Sequence, residues 1–195
     1  MQPHPSTAFR TSPYPFWGGR TDARATGFIV QKPGTLQLAP DSMTIIAHIN
    51  HGLGIRLHRI VGRVTADDFL EAVSFYRAHP EAARTDMISL VDDGVDVSGS
   101  RPADLETLRS AYRELYAELR LEVVLRSAWV CANVRAWPLL EEWLRDRHSR
   151  DGMATEVCLV TRLDEADCMY DEIELAAVRS GAGFEPLQTF GQRSG

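Results

Sequence analysis

Two hydrophobic periods alternate along the middle of the chain. Met43-Thr-Ile-Ile-Ala-His-Ile49 reads as a strand, Asn50-His51-Gly52 as a turn, and Gly54-Ile-Arg-Leu-His58 as the returning strand of a hairpin, with apolar and polar positions in alternation. Gly62 ends that strand. Thr65-Ala-Asp-Asp68 then opens a helix, with a hydroxyl cap and acids beside the unpaired N–H groups of the first turn. Phe69, Leu70, Val73 and Tyr76 share one face of it, and Pro80 stops it. Asp86–Val91 is a short apolar run suited to a buried strand, and residues 92–100 form a loop. Pro102 falls in the first turn of the next helix, where Leu105, Leu108, Tyr112, Leu115 and Leu119 make an amphipathic stripe. Residues 122–130 give a further strand, and Pro138 opens a third helix with Leu139, Leu140, Trp143 and Leu144 inward. Glu156–Val160 is the last strand. Thr161 and Asp164 resemble a capping box for a fourth helix that runs through Met169, Tyr170 and Ile173.

The order β-β-α-β-α-β-α-β-α predicts an α/β fold with a mostly parallel five-stranded sheet and helices packed on it. The strand carboxyl ends make the rim where such folds usually place a site. The domain is expected over residues 43–180, with 181–195 as a tail.

Residues 1–42 differ from this body. They hold six of the ten prolines, and no apolar period persists. A flexible extension is expected, although Tyr14-Pro-Phe-Trp17 is an alternative aromatic anchor and Met43 an alternative start. The 21 basic and 27 acidic residues are unevenly spread, giving +2 over residues 1–42 and -8 beyond. An acidic body repels a phosphate backbone, which argues against nucleic acid as a partner. No run of apolar residues is long enough for a membrane span. Cys131, Cys158 and Cys168 are three thiols without a spacing motif, as expected of a reducing cytoplasm, and no export signal opens the chain.

Candidate chemistry is sparse. No phosphate-binding loop, nucleophile elbow, paired-cysteine motif or zincin motif occurs, and no cofactor is expected. His48, His51 and His58 cluster at the hairpin, where His48 and His58 on adjacent strands are able to face each other; hydrogen-bonded histidines are the simpler expectation, and no metal site is assigned. Asp92, Asp93 and Asp96 follow the third strand. They suit either turn formation or, in a metal-dependent enzyme, an ion site. Cys131, at the end of the fourth strand beside Asn133, is expected to be structural rather than nucleophilic. Tyr112, Trp129, Trp137 and Trp143 form either core or the lining of an apolar ligand cavity.

The element order, the segment Gly62-Arg-Val-Thr-Ala-Asp-Asp-Phe69, the strand Met87–Asp92 and the closing Leu163-Asp-Glu-Ala166 together resemble the STAS, or SpoIIAA-like, family over roughly residues 43–178. The resemblance implies a small non-catalytic bacterial domain. Members of that family act as anti-sigma-factor antagonists, switched by phosphorylating a serine at the start of the second helix, where a phosphate gains from the helix dipole. Where the family shows Asp-Ser-Ser-Gly, this chain has Ser98-Gly-Ser100-Arg-Pro102, so Ser100 is the nearest phosphoacceptor match and Ser98 the next. Other members resemble the Sec14-type lipid-binding fold and imply an apolar ligand.

The first expectation is therefore a cytoplasmic regulatory protein that docks a protein partner. Its docking loop is Asp92, Asp93, Asp96, Ser98, Ser100 and Arg101, together with the exposed side of helix 102–119. A carrier of an apolar ligand is the second expectation and a metal-dependent enzyme using Asp92 or Asp93 the third. Sheet or helix pairing also offers a route to a homodimer.

Overall fold

The computed structural model describes residues 44–120, 125–145 and 156–191. The aromatic segment at 14–17, Met43 and part of the strand predicted over 122–130 lie outside them. The described elements are β1 (Thr44–Asn50), β2 (Ile55–Val61), α1 (Ala66–Ala78), α2 (Pro80–Ala83), β3 (Asp86–Val91), α3 (Pro102–Glu118), β4 (Arg126–Cys131), α4 (Trp137–Leu144), β5 (Glu156–Val160), a 3-10 segment (Leu163–Cys168), α5 (Glu172–Ser180) and β6 (Glu185–Phe190). No helix among the described residues is long and apolar enough to cross a membrane.

The α/β class holds, but the sheet is mixed and has six strands in the order β5-β4-β3-β2-β1-β6. β2, β3, β4 and β5 are mutually parallel, while β1 is antiparallel to both β2 and β6. The sixth strand corrects the expected count and the expected tail. Residues 185–190 carry a Pro and three polar residues and show no apolar run. They are drawn into the sheet as an edge, where one side of the ladder faces no partner and Pro is tolerated. Phe190 closes this strand against α1, fully buried and edge-on to Phe75 and Tyr76 at 5.5 and 6.2 Å.

Helices cover both faces of the sheet. Ile45, Ala47, Ile49, Ile60, Trp129 and Phe190 pack with Val73 and Tyr76 of α1, Leu105 and Leu115 of α3 and Trp143 of α4. On the other face Ile55, Leu57, Ile88 and Ala128 pack with Ala166, Tyr170, Leu175 and Val178. The second layer begins differently from the expected fourth helix. Thr161 donates its N–H and its hydroxyl to Glu165, and this turn closes a 3-10 segment instead of an α-helix. The α-helix starts at a complete capping box ten residues later, where Asp171 and Glu174 each accept the other's backbone N–H. Gly181 stops it in the left-handed conformation that glycine adopts without strain (φ 72°). Tyr170, between the two helical segments, is buried, whereas Ile173 points outward, 72% exposed.

A partly buried ion cluster fixes that layer to the sheet. Arg126 at the start of β4 binds Asp86 at 2.6 Å and Glu174 at 2.7 Å, and its guanidinium lies 4.6 Å from the centre of the Tyr170 ring. The Tyr170 hydroxyl donates toward the carbonyls of Met87 and Arg126. These bonds hold Arg126 above its ordinary pKa, while burial raises Tyr170.

If β6 is an integral strand, Phe190→Ala lowers stability by about 3–5 kcal/mol through the cavity it leaves. Urea denaturation compares it with Ile173→Ala at the exposed position. Equal, small effects from the two substitutions contradict the six-stranded sheet.

Candidate functional site

Two places gather polar or accessible groups on the sheet face covered by α1, α3 and α4. The first lies at the carboxyl ends of β3 and β4. There Asn133 acts as a bracket: its amide donates to the carbonyls of Asp93 and Val95 at 3.0 and 2.9 Å, and its Oδ1 accepts from the N–H of Arg135 and Ala136 at the start of α4. The β3–α3 loop is also tied to the turn before α1. The N–H of Val64 donates to the Asp96 carbonyl at 2.7 Å, and the N–H of Asp96 to the Gly62 carbonyl at 2.9 Å. Between the two bracketed loops runs a surface groove of about 680 Å³, lined by residues 93–98 and 132–135. Val134 stands in it, 83% exposed.

The six residues expected to form a docking loop are placed individually. The Asp92 carboxylate is 3.7 Å from Arg59, Asp93 is exposed, and Asp96 accepts the Ser98 N–H, which holds its carboxyl below the ordinary range. Asp93, Asp96 and Ser98 line the groove. Ser100 turns inward and donates its hydroxyl to the Val64 carbonyl at 3.1 Å, whereas Ser98 is exposed. Arg101 precedes α3 and donates its backbone N–H and its guanidinium to Asp104 at 2.8 and 3.1 Å. Asp92 and Asp96 are thus directed to different partners, and no group of three His, Cys, Asp or Glu residues converges among the described residues.

The second place is interior, at the amino ends of the parallel strands. Register puts Arg56, Met87 and Ser127 on one rung and His58, Ser89 and Trp129 on the next, all under α1 and α3. The alternation in β2 suggests a solvent-facing polar side. Instead both faces are covered, and Arg56 and His58 are 8% and 4% exposed. Nε2 of His58 shares a 2.7 Å hydrogen bond with the Tyr76 hydroxyl. Burial, then the adjacent Arg56 charge, holds His58 well below its ordinary 6.5 and neutral, while burial raises Tyr76. The Arg56 guanidinium lies 4.2 Å from the centre of the Tyr76 ring and donates to the Ala82 carbonyl at the end of α2. The expected facing of His48 and His58 does not occur. Ala47 pairs with His58 and His48 with Leu57, so the two imidazoles project from opposite faces. His51 is exposed and ion-pairs with Glu185 when protonated.

The aromatic residues divide. Tyr112, Trp129 and Trp143 line a hollow beside Arg56, and Trp129 and Trp143 also line a second, apolar hollow toward the carboxyl ends. Trp137 is partly buried against the core and lines neither. Each hollow measures about 40 Å³, space for two or three waters at roughly 10–15 Å³ each. Arg109, absent from the expectations, is fully buried. It pairs with Glu106 and donates to the carbonyls of Glu142 and Trp143, closing the end of α4. Two of the thiols are poor nucleophiles: burial raises Cys131, and burial together with the neighbouring Cys168 pushes Cys158 up to about 12.

Compared with known proteins, the chain matches no family model, no curated protein and no solved structure.

His58 is neutral in the folded chain and protonates near 6.5 when unfolded, so the unfolded state binds the additional proton. The contribution is complete above about pH 6.5 and is lost as pH falls from there toward the depressed folded value. Urea denaturation across this range is expected to show a shallower acid loss in His58→Gln than in the native chain. Tyr76→Phe, which strands the ring nitrogen, costs about 1–3 kcal/mol. Identical pH profiles for the native chain and His58→Gln contradict the assignment.

Proposed function

We propose that this chain is a non-catalytic regulatory domain of the STAS, or SpoIIAA-like, type, a cytoplasmic bacterial protein that works by docking a protein partner at the carboxyl ends of β3 and β4. The observation that carries this reading is the Val134 groove. A large aliphatic side chain stays exposed on two loops that Asn133 and the Gly62–Val64 turn hold in one conformation. A preformed loop surface loses little entropy when a partner seats on it. The partner chemistry that fits is an apolar side chain entering beside Val134, with polar groups meeting Asp93, Asp96 and Arg135 at the rim. The helix Pro102–Glu118 extends the surface on its exposed side, through Pro102, Ala103, Glu106 and Thr107.

Phosphorylation fits the loop unequally. A phosphate at Ser100 has first to break the bond to the Val64 carbonyl and then lies beside that oxygen. Ser98 carries its hydroxyl at the groove itself.

The reading as a carrier of an apolar ligand rests on a different observation, the two adjoining hollows beneath α1, α3 and α4. Their size suits a small molecule and is far below that of a lipid chain.

Affinity capture from the native host, read by mass spectrometry, tests docking. Val134→Asp and Asp96→Ala are surface changes expected to leave the melting temperature nearly constant. Both are expected to lose the protein that the native chain enriches. Equal capture by Val134→Asp and the native chain contradicts the groove as the docking site.

A further inference from the structure

We infer that the hollow at the amino ends of the parallel strands binds a small organic carboxylate, with the acid group on the Arg56 guanidinium and the hydrocarbon part against Phe69 and Trp143. This rests on the carrier reading and replaces its purely apolar ligand by an anionic one.

Three observations carry the inference. First, Arg56 is a buried charge without a counter-charge. Its bonds go to the Ala82 carbonyl and, at 3.8 Å, to the Met87 sulfur, and no carboxylate among the described residues pairs with it. The other strongly buried arginine, Arg109, has Glu106, and the partly buried Arg126 has Asp86 and Glu174. Burying an unpaired guanidinium is costly, so an anion beside it is strongly favoured. Second, the Nε–H of Arg56 is buried with no acceptor. A carboxylate meets a guanidinium through two parallel N–H bonds, a geometry that Nε completes. Ser127, on the same rung and lining the same hollow, accepts from the Trp129 indole at 3.2 Å and keeps its own hydroxyl proton to donate. Third, the hollow beside Arg56 and the wholly apolar hollow share Phe69, Trp129 and Trp143 as a wall. A charged group at one end and an apolar chamber behind the rings describe a short amphiphile. A group of acetate size is expected to fill the first hollow, with a longer chain reaching the Phe69 ring that both hollows share. The neutral His58 adds no charge to this lining, and Arg126, which also borders the hollow, is paired with Asp86 and Glu174, so the unpaired positive charge is that of Arg56.

The test uses the full chain, with sodium butyrate, its neutral isostere butyramide, and sodium chloride at equal ionic strength, read by thermal melting and tryptophan fluorescence. Butyrate is expected to raise the melting temperature by about 5–10 °C at a hundred times its dissociation constant. It is also expected to change the emission of Trp129 and Trp143, while butyramide and chloride do neither. Arg56→Gln is expected to lose the butyrate response; should that variant not fold, the comparison of butyrate with butyramide on the native chain decides alone. Equal responses to butyrate and butyramide overturn the carboxylate site and leave an apolar-ligand reading standing. No response to either, up to tens of millimolar, overturns both. A chloride response as large as that of butyrate also overturns the proposal.

Discussion

The arrangement depends on one constraint: β2 lies inside a sheet that is covered on both faces, yet it carries Arg56 and His58 on alternate positions. Ile55 and Leu57 meet the α5 layer, so Arg56 and His58 must enter the layer beneath α1. Each buried polar group there needs a partner or costs free energy. Tyr76 serves both residues, through its hydroxyl to His58 and its ring face to Arg56. That single tyrosine sets where α1 sits over β2, and Phe190 then packs against the Tyr76 ring and brings the last strand onto β1.

From this follows a division between the two ends of the helical layer. At the amino ends of the parallel strands the groups are buried, charged and only partly satisfied. At the carboxyl ends Asn133 satisfies the loop backbone so fully that the loops present a fixed outer surface. The first end is the proposed anion site and the second the proposed docking surface. Phe69, Trp129 and Trp143 are common walls of the two hollows.

Much of the fold was legible in the hydrophobic pattern. The hairpin, the Thr65 cap, the buried strand Asp86–Val91 and the stripe of α3 each follow from a period or a cap that local chemistry enforces. What was illegible came from tertiary context. β6 is an edge strand held by Phe190 alone among its apolar residues at full burial, and six residues containing Pro186 carry no strand period. The alternation of β2 is that of a half-exposed strand, and only the second helical layer turns its polar side into an interior. Thr161 with an acid downstream signals a helix start, but Glu165, four residues on, closes a tighter turn. For the candidate site, the acids of loop 92–101 are what stands out in the sequence, whereas Asn133 and Val134 contribute through position. Arg56 carried no signal at all, since a lone arginine in an alternating strand ordinarily faces water.

The central claim is that β2 turns its polar side into the protein interior, where His58 stays neutral against Tyr76. Nitrogen-15 NMR of the imidazoles through acid titration tests it most directly. His58 is expected to keep the signals of one neutral tautomer while the pH passes below the point at which a free imidazole protonates. A titration of His58 at the ordinary value contradicts it, because an imidazole that takes a proton that readily is in water and not between the sheet and α1.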